Sequence, residues 1–244
     1  MNTEIYFLFL VLIVSFLYAS VGHGGASGYL ALGVLFNLNP IEMKTSALIL
    51  NVFVSAIAFI QYYRGKYFKW KLFFPFIILS IPLAFIGAKI PIATHYYKII
   101  LAICLIIALV RILGLFGKYD NGRKEDISFI PAVVIGGIIG FISGMIGIGG
   151  GILLTPVLLL CHWANMKESA AISAAFIFLN SVSGLAGAAY TEQPLSSNIY
   201  LWAGVAIMGG TSGAYFGSQR FNKVILKYVL SLVLLFACFK LIFS

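Results

Sequence analysis

Two glycine-rich breaks interrupt long apolar runs, one in each half of this 244-residue chain: Gly22-His23-Gly24-Gly25 and Gly147-Ile148-Gly149-Gly150-Gly151. Further along each half, Leu50-Asn51 corresponds to Leu179-Asn180. A pattern that recurs in the same order in both halves indicates internal duplication. We call the two breaks the first and second hinge.

The composition predicts a membrane protein, because 61% hydrophobic and 9% charged residues leave too little polar surface to cover a water-soluble globule. Apolar runs that are long enough, or nearly so, to cross a hydrocarbon core of about 30 Å occupy residues 5–21, 43–63, 72–88, 97–116, 128–146, 168–190, 199–217 and 224–243. The apolar stretches 26–36 and 152–161, which follow the hinges, reach only about half of that thickness as helices.

Lysine and arginine collect in cytoplasmic loops, and their placement predicts the topology. The loop at residues 64–71 carries four basic residues, whereas its counterpart at 191–198 carries none. The corresponding loops should therefore face opposite sides of the membrane, with both termini outside. We predict an all-α, multi-pass protein of the cell membrane with two inverted-topology repeats, each a glycine-hinged helical hairpin followed by three transmembrane helices. The predicted boundaries are 1–117 for the first repeat, 118–127 for a cytoplasmic linker and 128–244 for the second repeat.

The hinges suggest an anion site. Closely spaced glycines let backbone N–H groups turn inward, and the helix that follows presents unpaired N–H groups at a partly positive end. Inverted repeats with interrupted helices are common in secondary transporters, whose substrate sites lie near the bilayer midplane. The alternative is that the hinge glycines only permit close helix packing, which is our expectation for Gly136, Gly140 and Gly144.

Polar side chains after each hinge extend this prediction. Asn51 and Asn180 hold matching places, and an amide can donate to an oxyanion without adding charge. The hydroxyls of Ser46 and Ser173 could contribute further donors, although all these groups could equally serve as hydrogen bonds between helices. The predicted substrate-binding residues are Gly22, His23, Gly24, Gly25, Ser46, Asn51, Gly147, Gly149, Gly150, Gly151, Ser173 and Asn180.

His23 has a near-neutral intrinsic pKa and is predicted to lie at membrane depth. It could take part in proton coupling, pair with an anion, or remain a neutral hydrogen-bond partner. Every aspartate and glutamate falls in a loop or at a segment end, which disfavours a buried carboxylate relay. We interpret Lys44 as an interfacial residue whose charge reaches the membrane surface, in preference to a charge that attracts substrate.

Other functional classes are less well supported by the sequence. The chain has no phosphate-binding loop of an ATPase, and its basic residues follow topology with no nucleic-acid-binding pattern. The three cysteines form no metal-binding spacing, so we expect neither a metal nor a cofactor. An intramembrane hydrolase would need Ser143 paired with His23. A passive anion channel is the stronger alternative to a transporter. The expected partners are a small anion and membrane lipid, with homo-oligomers left open.

The hinges, together with Leu153-Leu154-Thr155-Pro156 after the second and Thr45-Ser46 in the first half, resemble the TauE/SafE family of sulfite and organosulfonate exporters. The resemblance covers nearly the whole chain. It implies a bacterial or archaeal plasma-membrane transporter for sulfite, an organosulfonate or a related small carboxylate. The resemblance favours export over uptake. The first hinge departs from the pattern because it contains His23 and continues as Ala26-Ser27-Gly28.

Overall fold

The computed structural model describes residues 2–90, 127–190 and 195–222, together with Ile106 and scattered residues from 224 to 235. The regular structure of these ranges is helical. Eight α-helices occur there: α1 Asn2–Ser20, α2 Ala26–Leu35, α3 Pro40–Arg64, α4 Trp70–Ala88, α5 Phe129–Ile146, α6 Gly151–Leu160, α7 Met166–Tyr190 and α8 Ile199–Tyr215. A π-helical turn, Phe216–Arg220, continues α8.

Five of these helices, α1, α3, α4, α5 and α7, are long and apolar enough to cross a membrane. The short helices α2 and α6 have 10 residues each, as predicted for the stretches after the hinges. Helix α8 has 17 residues before its π-helical continuation. The predicted segment 97–116 lies outside the described residues apart from Ile106, and 224–243 lies largely outside them.

Asparagine caps begin the two longest helices. Asn39 Oδ1 accepts a hydrogen bond from the Ile41 amide at the start of α3 (2.9 Å). At the start of α7, Asn165 Oδ1 accepts from the Glu168 amide (3.0 Å), and Glu168 Oε2 accepts from the Asn165 amide (3.0 Å). This reciprocal pair is a capping box, which fixes where the helix begins.

Two glycine stripes bring helices from opposite halves into close contact. A β-carbon on Gly136, Gly140 or Gly144 of α5 would collide with backbone atoms of Phe76, Ser80 or Ala84 on α4. The predicted packing role of these three glycines is confirmed. In the same way, β-carbons on Gly209 and Gly213 of α8, and on Gly217 of the π-helical turn, would collide with the Leu12, Phe16 and Ser20 carbonyls of α1.

Corresponding helices of the two halves have corresponding packing partners. Helix α1 packs on α8, its counterpart α5 packs on α4, and α3 packs on α7 at the centre. Helices α2 and α6 each lie against the long helix that follows them. The inverted orientation of the halves and the boundaries 1–117, 118–127 and 128–244 remain predictions.

Candidate functional site: a polar cluster between the hinges

Both hinges end one helix and begin another through left-handed backbone. Gly22 and Gly25 have φ of 78° and 97°, and Gly147, Gly149 and Gly150 have φ of 84°, 72° and 79°. Only glycine adopts such angles without steric cost. The Gly147 amide donates to the Ser143 carbonyl (2.7 Å) as α5 ends, which satisfies a carbonyl that the helix would otherwise leave unpaired.

Asn51 joins the two hinges through a single side chain. Its Oδ1 accepts a hydrogen bond from the Ala26 amide at the start of α2 (3.0 Å), and its Nδ2 donates to the Ile148 carbonyl in the second hinge (3.2 Å). Nδ2 also lies 3.3 Å from Ser181 Oγ on α7. Asn51 is fully buried near the middle of α3, so both hinges meet around the midpoint of a spanning helix.

A second link runs from the first hinge into the other half. His23 Nε2 lies 3.1 Å from Thr155 Oγ1 on α6, and Thr155 Oγ1 lies 2.7 Å from Ser173 Oγ on α7. His23, Thr155 and Ser173 are buried. The other ring nitrogen, His23 Nδ1, is buried with no hydrogen-bond partner. A buried polar atom in that state is energetically costly and has hydrogen-bonding capacity available for a ligand.

The hinge glycines leave room for these side chains. A β-carbon on Gly24 would overlap the Asn51 amide, and one on Gly149 would lie 2.8 Å from both Asn51 Nδ2 and Ser181 Oγ. A β-carbon on Gly151 would lie 3.3 Å from the His23 ring. Glycine at these positions therefore permits the close approach of the hinge backbone to Asn51 and His23.

Asn180 does not share the position of Asn51 between the hinges. Its Nδ2 donates to the Phe176 carbonyl of its own helix (2.8 Å), and its Oδ1 accepts from Ser80 Oγ on α4. Ser46 is buried, with its hydroxyl lacking a partner. It lies five positions before Asn51, about 140° away around α3. Neither side chain forms a hydrogen bond to a hinge, as that of Asn51 does, and their substrate contacts remain predictions.

Thr155 is not among the substrate-binding residues predicted from the sequence, although the sequence contains a signal for it. It is the only hydroxyl-bearing or charged residue in α6, whose sequence is otherwise glycine, proline and aliphatic residues. A lone hydroxyl in a short buried helix requires a partner, and that partner is His23 together with Ser173. Ser143, which the hydrolase alternative requires, forms no hydrogen bond with His23 among the described residues.

Among the described residues, the polar side chains between the hinges carry no negative charge that would repel an anion. The buried polar residues of the described ranges include one carboxylate, Glu168, which forms an ion pair with Lys69 (2.7 Å) at the start of α7. Amide, hydroxyl and imidazole groups make up the polar lining between the hinges. No group of three histidine, cysteine or acidic residues suited to a metal occurs in the part of the chain that the structure describes.

Comparison with known proteins supplies the family. The family model described as "Sulfite exporter TauE/SafE" matches residues 7–241. The chain belongs to the TauE/SafE family. It is accordingly a membrane transporter of this family and a multi-pass membrane protein.

Three curated relatives are named as probable membrane transporters. A Sinorhizobium fredii protein, "Probable membrane transporter protein y4hK", is 30% identical over 237 residues, which cover 94% of each chain. The Bacillus subtilis protein YunE is 27% identical over 49% of this chain and 44% of its own. A Methanocaldococcus jannaschii protein is 42% identical over 25% of this chain and 22% of its own. No solved structure matches the chain.

Proposed function

We propose that this TauE/SafE chain is a secondary transporter that moves a small anion, with sulfite or an organosulfonate as the favoured substrate, by alternating access around the two hinges. Export is the favoured direction, following the name of the matching family. The observation that carries the proposal is the bridge that Asn51 makes between Ala26 of the first hinge region and Ile148 of the second.

This bridge gives the hinges a shared site. Asn51 already uses its amide on the hinge backbone, so an anion that enters would exchange hydrogen bonds with the amide, the hinge backbone N–H groups and His23 Nδ1. Such donors suit an oxyanion because they stabilise its negative charge by hydrogen bonds without adding a positive charge. A site without a carboxylate also avoids repulsion of the substrate.

The glycine stripes support movement of one half against the other. Small residues along α5 and α8 bring their backbones directly against α4 and α1, so few side chains interlock across these contacts and we propose that the halves rock there. In transporters built from inverted repeats, such motion exposes a fixed central site to each side in turn. We propose the repeats 1–117 and 128–244 as the two moving units.

Proton coupling is proposed through His23 or through the substrate itself. Bisulfite and sulfite interconvert by one proton, so a weak acid can carry the proton without any titrating side chain. The hydrogen-bonded series His23, Thr155 and Ser173 supplies a chain of exchangeable protons at the hinges.

The test is anion flux in proteoliposomes that contain the purified protein. Sulfite, methanesulfonate and small carboxylates are each tested with and without an imposed pH gradient. We expect saturable flux of a sulfur oxyanion that responds to the gradient. Fast, unsaturable flux that ignores the gradient would establish the channel alternative, and absence of any anion flux would contradict the proposal.

A further inference from the structure

Lys44 lies against the second hinge. A β-carbon on Gly147 would lie 2.8 Å from Lys44 Cγ and 3.5 Å from Lys44 Cε, so the lysine stem covers this glycine. Lys44 is half-buried, on the second turn of α3. A side chain that only reaches towards the membrane surface has no need to run along the hinge backbone.

The position of Lys44 on α3 connects it with Asn51. The two residues are seven apart, about two helical turns, and therefore share one face of α3 at a separation of about 10 Å along its axis. Asn51 donates to Ile148, and Lys44 covers the adjacent Gly147. One face of α3 therefore follows the second hinge, with a positive charge towards the helix start and the amide at its middle.

The ammonium group of Lys44 has no partner among the described residues, in contrast to three other lysines near the membrane ends. Lys69 pairs with Glu168, Lys167 Nζ donates to the Ser218 carbonyl (2.9 Å), and Lys89 lies over the Tyr190 ring. No hydrogen bond or ion pair from Lys44 occurs in the described ranges. The acidic residue on the same helix, Glu42, lies two positions away and so on roughly the opposite side.

In the described part of the chain, no lysine stem covers Gly22 of the first hinge. Gly22 stands first in its hinge as Gly147 does, and its β-carbon would collide with the Ala170 backbone at the start of α7. Ala170 thus holds, against the first hinge, the place that Lys44 holds against the second. Lys167, three positions before Ala170, has its ammonium group engaged by the Ser218 carbonyl.

We infer that Lys44 is a substrate-recognition residue: its ammonium group forms an anion subsite at the α3 end of the second hinge, through which a sulfur oxyanion passes between Asn51 and that side of the membrane. The inference rests on the proposed function and assigns the release of an exported anion to one end of the site. By the topology that the basic loops predict, this end faces outward. It revises our interpretation of Lys44 as an interfacial residue.

The test compares Lys44→Met, Lys44→Arg and Lys71→Met in proteoliposomes, with sulfite as the probe. Methionine retains an unbranched stem over Gly147 and removes the charge. Lys71 is exposed at the start of α4, so its substitution removes the same charge away from the hinges. For Lys44→Met we expect KM to rise about tenfold with little change in the maximal rate, because a charge-assisted contact is lost. Lys44→Arg and Lys71→Met should remain within about twofold of the wild type, since both keep the charge at position 44.

A salt series separates recognition from a structural role. In the wild type, KM should rise with ionic strength because salt screens the ammonium group, and Lys44→Met should lose that dependence. Thermal unfolding of each variant verifies folding, and calorimetric titration of sulfite measures binding independently of flux. A Lys44→Met protein with wild-type KM and salt dependence overturns this inference while leaving anion transport intact. A wild-type protein that neither moves nor binds sulfite or methanesulfonate overturns both the inference and the proposed function.

Discussion

At the scale of single residues, Asn51 shows how an apolar helix positions polar chemistry. Its amide makes contacts with Ala26, Ile148 and Ser181, which lie on three different elements. The sequence identified Asn51 and Asn180 as equals because both follow a hinge at matching positions. The structure distinguishes them, since Ser80 on α4 engages Asn180. A repeat pattern cannot reveal that difference, because it depends on which neighbour each amide finds.

Replacing Asn51 with alanine should abolish transport and lower the free energy of unfolding by about 1–3 kcal/mol, because buried hinge groups lose their partners. Ser183→Ala is the matched control, since it removes a single interhelical bond to the Ile81 carbonyl away from the hinges. Such bonds average about 0.6 kcal/mol in membranes. Flux assays and thermal unfolding measure both effects. Normal transport by Asn51→Ala would show that the bridge is dispensable.

Valine at Gly24 or Gly149 should abolish transport while leaving membrane insertion largely intact. At Gly24 the new β-carbon overlaps the Asn51 amide, and at Gly149 it crowds Asn51 and Ser181 on a backbone whose φ of 72° is strained for valine. Gly204 provides the control, because a β-carbon there has no atom within 4 Å. Membrane content and anion flux are measured for all three valine variants. If the Gly24 and Gly149 variants transport like the Gly204 variant, the hinges are not the site.

At the scale of helices, a four-residue glycine spacing indicates close helix packing, and the sequence analysis recognised only one of the two stripes that have it. The stripe Gly136, Gly140 and Gly144 was predicted to pack, and it does so against α4. The stripe Gly209, Gly213 and Gly217 has the same four-residue spacing and packs on α1, yet the sequence analysis overlooked it. Helix identity and approximate bounds followed from apolar run length. The pairing of helices could not be predicted from the sequence. The apolar faces of these helices are chemically alike, so the sequence does not say which face packs on which.

Leucine at Gly140 or Gly213 should separate the corresponding helix pair and lower the thermal unfolding midpoint of the purified protein. Each new side chain would meet backbone, at Ser80 or Phe16, which cannot move aside as a flexible side chain can. We expect a loss of at least about 2 kcal/mol, comparable with severe overpacking of a core. Leucine at Gly204 should change the midpoint little. Equal stability of all three variants would contradict the packing role of the stripes.

At the scale of the whole molecule, the described helices pair across the two halves, α1 with α8 and α5 with α4. The duplication read from the hinges is consistent with this exchange, and the membrane class followed from composition alone. His23 was singled out from the sequence, whereas its partner Thr155 was not. Contacts between His23 and Thr155 join residues far apart in the chain, and no local pattern encodes such a contact.

Counterflow in proteoliposomes tests the central claim, that a small anion alternates between the two sides at the hinge site. Vesicles loaded with unlabelled sulfite receive a trace of labelled sulfite outside. We predict a transient accumulation of label above equilibrium for the wild type and for Gly204→Ala, and none for Asn51→Ala. Label that only equilibrates in the wild type, or an overshoot that persists in Asn51→Ala, would contradict the account.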